Sequence, residues 1–173
     1  MKMQFTYNIF LIGFMGSGKS TVADYLCEKF DMDVVEMDQV IAERERMSIS
    51  DIFEKHGELY FRDLETKLLV ELQEKTNTVV SCGGGVALRE CNVTEMKKNG
   101  KVVLLTAKPE TILERVDNHD RPLLENNKTV AYIAELMEKR REKYEAAADM
   151  IIETDGKSAQ KICEEMIQRL GEQ

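Results

Sequence analysis

A chain of 173 residues, 43% of them apolar, is long enough to bury one sizeable core without disulfide or metal staples, and its composition is globular rather than disordered. A formal net charge of -8 argues against nucleic acid or an anionic membrane as partner, because both reward positive surfaces; it leaves room for a small anion held by local arginines. The cysteines Cys27, Cys82, Cys91 and Cys163 are scattered without a C-x-x-C pair, and no stretch suits a signal core or a bilayer span, so one soluble cytoplasmic domain with free thiols is expected.

Apolar runs alternate with longer helical patterns, which predicts a parallel sheet joined by crossover helices. Strands are expected near Asn8–Ile12, Asp33–Glu36, Thr78–Cys82, Val102–Thr106 and Met150–Glu153. Helices are expected near Lys19–Phe30, Asp38–Glu45, Ile49–Lys55, Glu58–Glu74, Glu90–Lys98, Pro109–Val116, Val130–Ala147 and Ala159–Leu170. Thr129 is placed to cap the helix that begins at Val130, and Gly100 to stop the one ending near Lys98. No repeat, linker or low-complexity tract divides the chain.

Between the first strand and first helix lies Gly13-Phe14-Met15-Gly16-Ser17-Gly18-Lys19-Ser20-Thr21, which fits G-x-x-x-x-G-K-[ST] in strand–loop–helix context. Its glycines let backbone N–H groups turn inward around a polyphosphate, Lys19 reaches the outer phosphates, and the helix start adds unpaired N–H groups and partial positive charge. Ser20 is placed to offer its hydroxyl to Mg2+, a hard cation that prefers oxygen. The segment predicts a nucleotide site.

Five further places carry polar chemistry. Glu36-Met37-Asp38 ends the second strand, at the sheet edge where ligands of open α/β folds gather. There Asp38 can orient or deprotonate a hydroxyl and Glu36 can help hold magnesium; a plain helix cap at Asp38 is the competing reading. Next, Phe61, Leu64, Leu68 and Leu72 form an apolar stripe with Arg62 at its border. Arg62 and Glu65 read equally as a solvated i,i+3 pair or as an anion-binding arginine steadied by a carboxylate. Third, Gly83-Gly84-Gly85 follows a strand directly, and three glycines make sense where a ligand approaches the main chain. Fourth, the polar stretch 117–127 has the length of a lid or binding loop, in which Arg121 could fold over phosphates. Last, Arg140 and Arg141 flank the buried stripe Ile133, Met137 and Tyr144 of the long helix; an inward arginine needs an anion, and periodicity does not choose between the two.

In order and spacing these motifs resemble the shikimate kinase family over nearly the whole chain: the P-loop, Asp38, Gly57-Glu58-x-x-Phe61-Arg62-x-x-Glu65, the triple glycine, Arg121-Pro122-Leu123-Leu124, and Arg140-x-x-x-Tyr144 followed by Ala148-Asp149. The resemblance implies a three-layer P-loop fold of the nucleoside-monophosphate-kinase type, with a five-stranded parallel sheet in order 2-3-1-4-5. It also implies a substrate-binding region at about 38–65 and a lid at about 117–127. Carried over residue by residue, it implies that Gly16, Ser17, Gly18, Lys19, Ser20 and Thr21 bind ATP, with Arg121 closing from the lid. Asp38, Arg62, the glycines Gly83, Gly84 and Gly85, and Arg140 would bind shikimate, and the spacing to Tyr144 selects Arg140 over Arg141. Asp38, Lys19 and Arg121 would carry the chemistry, with Mg2+ held by Ser20 and Glu36. Glu36 departs from the family pattern, which has aspartate there, and the lid segment is short. The implied reaction is phosphorylation of the 3-hydroxyl of shikimate by ATP, in a monomer.

Two other readings fit part of this pattern. One is a related kinase for gluconate or a nucleoside monophosphate, because paired arginines suit a carboxylate or a phosphate equally well. A nucleotide switch is disfavoured, because the chain has no D-x-x-G and its Asn127-Lys128 lacks the aspartate that guanine readers use.

Overall fold

The computed structural model describes residues 4–116 and 129–171. Five strands, β1 (Asn8–Ile12), β2 (Asp33–Glu36), β3 (Thr78–Ser81), β4 (Gly100–Thr106) and β5 (Met150–Glu153), form one sheet in the order β2-β3-β1-β4-β5. Every pairing in it is parallel. The helices are α1 (Lys19–Phe30), α2 (Met37–Glu45), α3 (Ile49–His56), α4 (Glu58–Glu71), α5 (Glu90–Asn99), α6 (Pro109–Val116), α7 (Val130–Ala147) and α8 (Ala159–Gly171), with short 3-10 turns at Leu72–Glu74 and Val86–Leu88.

Strand β1 is central, so all five of its residues are buried, and after Asn8 it reads as the apolar run Ile9, Phe10, Leu11, Ile12. Its alternate residues serve opposite layers. Ile9 and Leu11 pack with Val22 and Leu26 of α1 and Ile162, Met166 and Leu170 of α8. Phe10 and Ile12 pack with Met37, Ile52, Phe61, Leu69, Met96 and Tyr144 from the other side. A third cluster, Phe14, Ala107, Ile112, Val116 and Ile133, ties the P-loop to α6 and α7. Burial of each such side chain stabilises by roughly 1.5–3 kcal/mol, and together these layers fix where the strands end.

The sheet order and the three-layer arrangement agree with the sequence reading; the differences are local. Strand β4 starts two residues early, at Gly100, which is extended rather than a left-handed helix stop. A side chain there would run into the Phe10 ring, so packing demands this glycine. Strand β3 ends at Ser81, and α4 gives way at Leu72 to a 3-10 turn. Thr129 caps α7 as expected, accepting a hydrogen bond of 3.1 Å from the Tyr132 N–H. The 117–127 stretch with Arg121 lies outside the described residues.

Candidate active site

The loop after β1 needs its glycines. Gly13, Gly16 and Gly18 have φ of 145°, 79° and 103°, values L side chains rarely adopt, and a Cβ on Gly13 would meet the Leu105 carbonyl. Gly18 opens α1 without a side-chain cap, leaving first-turn N–H groups for an anion. The Lys19 ammonium donates to the carbonyls of Gly13 (2.7 Å) and Phe14 (3.2 Å), which holds its charge on the loop rim. The loop's back is held by Arg115 of α6, which donates to the Gly16 carbonyl (2.9 Å) and the Thr154 hydroxyl (3.1 Å). That contact brings the turn after β5 against the P-loop.

In front of the loop opens a cavity of about 1080 Å³ whose lining includes Gly16, Lys19, Ser20, Glu36, Asp38, Arg62, Gly83, Gly84, Gly85 and Arg140. The structure thus gathers most of the sequence-derived residues into one chamber. Ser17, Gly18 and Thr21 do not line it. Ser17 is buried with its Oγ unpaired and lines a smaller, mostly apolar cavity of about 350 Å³, whose lining includes Arg141 but not Lys19, Arg62 or Arg140. Asp38 is not the helix cap: Glu36 holds that position, and Asp38 sits within the first turn of α2, where a carboxylate suits the helix dipole.

Each of the three glycines clears room for a different polar side chain. A Cβ on Gly83 would lie 2.8 Å from Asp38 Oδ1 and 3.0 Å from Glu65 Oε2; one on Gly84, 3.1 Å from Arg140 Nη1; one on Gly85 would overlap the Arg62 guanidinium. None of the three has positive φ. Close approach of side chains, not backbone conformation, requires them.

Arg62 and Arg140 are both positioned by their surroundings. Arg62 lies over the rings of Phe61 (5.4 Å) and Phe53 (5.9 Å) and donates to Glu65 Oε1 at 2.9 Å. Glu65 is fully buried and Arg62 is 23% exposed, so the pair is not a solvated one. Burial raises the Glu65 carboxyl to about 7, against the hydrogen bond and charge of Arg62 and with the charge of Asp38 adding to the rise. Arg140 lies 5.5 Å from the Phe14 ring centroid and donates to the Tyr144 hydroxyl at 3.4 Å. Tyr144 in turn donates to the Gly84 carbonyl at 2.6 Å, and burial raises its phenol above the ordinary value. Arg141, by contrast, points outward and pairs with Glu138 (2.9 Å) and Glu145 (3.7 Å).

A buried polar network supports the glycine loop. Thr66 Oγ1 donates to Asn92 Oδ1 at 2.6 Å, and Asn92 Nδ2 donates to the Val86 carbonyl at 3.0 Å, tying α4 and α5 to the turn that follows Gly85. Sequence reasoning missed this network, the Arg115 clasp and the burial of Glu65. Only the last had a readable signal: Glu65 stands four residues after Phe61 and three before Leu68, on the buried face of α4.

The parallel sheet in this order, the phosphate loop after its central strand and the adjoining acidic and basic chamber define a P-loop kinase for a small molecule. The family model described as shikimate kinase matches residues 15–171. A shikimate kinase of Persephonella marina is 46% identical over 164 residues, 94% of this chain and 98% of its own. The solved structure of shikimate kinase from Acinetobacter baumannii in complex with shikimate superposes with a TM-score of 0.87 at 33% identity, covering 95% of this chain and 92% of that one. This chain belongs to the shikimate kinase family. A gluconokinase from Sinorhizobium meliloti, 18% identical with a TM-score of 0.62 over 98% of this chain and 94% of its own, shares the fold alone.

Proposed function

We infer that this enzyme transfers the γ-phosphoryl group of ATP to the 3-hydroxyl of shikimate, giving shikimate 3-phosphate and ADP on the route to chorismate and the aromatic amino acids. The observation that carries the reading is the position of Asp38 in one chamber with Lys19 and Ser20 on the donor side and with Arg62 and Arg140 on the acceptor side. In this reading ATP's phosphates rest on the loop amides, the start of α1 and Lys19, with Gly16 to Thr21 following the polyphosphate. Arg62 and Arg140, set beside Gly85 and Gly84, hold the acceptor's carboxylate through charge-assisted hydrogen bonds. Asp38 orients the ring hydroxyls and accepts the proton of the 3-hydroxyl as its oxygen bonds to the γ-phosphorus and the bond to the ADP oxygen breaks. Arg121 is assigned to close over the transferred group from the 117–127 lid.

Ser20 and Glu36 line the same chamber, an all-oxygen donor set that fits Mg2+. Mg2+ commonly keeps several waters and leans on substrate phosphates, so few protein ligands are needed. When bound, Mg2+ would neutralise phosphate charge. The reading is of a monomer, with 38–65 as its substrate-binding region. We place the activity in the cytoplasm, with no nucleic-acid or membrane partner; among the described residues no helix is long and apolar enough to cross a bilayer.

The test is ADP release with a panel of acceptors. Turnover with shikimate, and none with gluconate or nucleoside monophosphates, is the expected outcome; the reverse pattern overturns the reading.

A further inference from the structure

Glu65 is the only buried acid among the described residues, and its two oxygens differ. Oε1 accepts from Arg62. Oε2 is buried with no protein partner and converges with Asp38 Oδ1 on the same spot above Gly83. An unpaired carboxylate oxygen in that position is costly, whereas a protonated one can donate a hydrogen bond. The groups that face Glu65 are Asp38 from α2, Arg62 on its own helix, Arg89 at the start of α5, and the Cys82 thiol after β3. Arg62 is the only cation hydrogen-bonded to it among the described residues, and the Arg62 Nε also lies 3.5 Å from Glu58.

A carboxylate arriving on Arg62 would share that guanidinium with Glu65 and bring a third negative charge into the chamber that Asp38 and Glu65 already line. Like charges so close in a partly dry site favour a proton on one of them. Asp38 is needed as a base, and Glu65 is the more buried. We propose that Glu65 takes up a proton from solvent as the acceptor's carboxylate settles on Arg62, so that acceptor binding is proton-coupled and Glu65 is a positioning residue whose neutralisation frees Arg62 for the ligand. This rests on the reading of Arg62 as a carboxylate seat.

With the empty-site carboxyl raised to about 7, linkage predicts little proton uptake on shikimate binding near pH 5.5, partial uptake at pH 7 and more near pH 8.5. Calorimetric titration of the full chain with shikimate alone, in buffers of low and high ionisation enthalpy at these three pH values, counts the protons. Glu65→Gln should abolish the uptake and flatten the pH dependence of affinity, while Asp38→Asn should keep an uptake whose midpoint moves to lower pH, because the Asp38 charge helps raise Glu65. Binding heats that do not vary with buffer, or an uptake lost in Asp38→Asn and kept in Glu65→Gln, would overturn the proposal and leave the acceptor reading standing. No shikimate binding at any pH overturns both. Should Glu65→Gln fail to fold, the wild type and Asp38→Asn still decide.

Discussion

The donor and acceptor sides of the chamber are built in opposite ways. The donor side is one contiguous run, Gly13 to Thr21, working largely through main-chain amides and three glycines of positive φ. The acceptor side draws single side chains from α2, α4 and α7, and the glycines of the loop after β3 let those side chains in. Main-chain recognition suits a phosphate chain common to every nucleotide. Choosing one alcohol among many takes side chains placed by distant parts of the fold, each held by a neighbour: Arg62 by Glu65, Arg140 by Phe14 and Tyr144.

That contrast can be broken in order of expected effect. Asp38→Asn should lower kcat by about 10²–10⁴-fold, in line with loss of a general base, while ATP affinity measured by equilibrium binding stays unchanged. An unaltered kcat removes Asp38 from the chemistry. Arg62→Ala or Arg140→Ala should raise the acceptor's KM by about 10–100-fold, matching a charge-assisted hydrogen bond of roughly 1.5–3 kcal/mol, with the KM for ATP little affected. Gly85→Ala should imitate Arg62→Ala, because its methyl displaces the guanidinium, whereas Gly16→Ala, at positive φ, should weaken ATP instead. If both glycine variants lost the same substrate, the division of labour would be wrong.

A further experiment concerns stability. Folding raises the Glu65 carboxyl from 4.5 to about 7, so the folded state holds the proton more tightly than the unfolded one. The stabilisation this gives is complete below about pH 4.5 and lost as pH rises towards 7. Urea unfolding from pH 5 to pH 8 should therefore show wild type losing on the order of 2–3 kcal/mol relative to Glu65→Gln. A pH-independent gap between them would mean that Glu65 is charged throughout. The smallest effect belongs to Arg141→Ala, whose exposed pairs should change stability by under about 0.5 kcal/mol and leave the acceptor's KM alone. A large KM change there would put the wrong arginine of the pair in the site.

Most of the strands and helices could be read from the sequence, because period and punctuation are local properties. So could the nucleotide loop, since Gly13, Gly16 and Gly18 and the following Lys-Ser are adjacent in the chain and do their work where they stand. At the acceptor side, residue types and spacing raised the candidates but left two ties, Arg62 against a solvated pair and Arg140 against Arg141; family spacing selected Arg140 in the second. In the structure, burial of Glu65 removes the solvated pair, and Arg140 lies against Phe14 and Tyr144 while Arg141 pairs outward, through packing across three layers that no local period encodes. The Arg115 clasp, 99 residues from Gly16, and the Asn92 network belong to the same kind. What the sequence determined alone was the phosphate cradle, because its information is contiguous. What the tertiary structure decided was which cations and carboxylates face one another in front of it, because burial and the meeting of distant side chains exist only once the sheet has assembled.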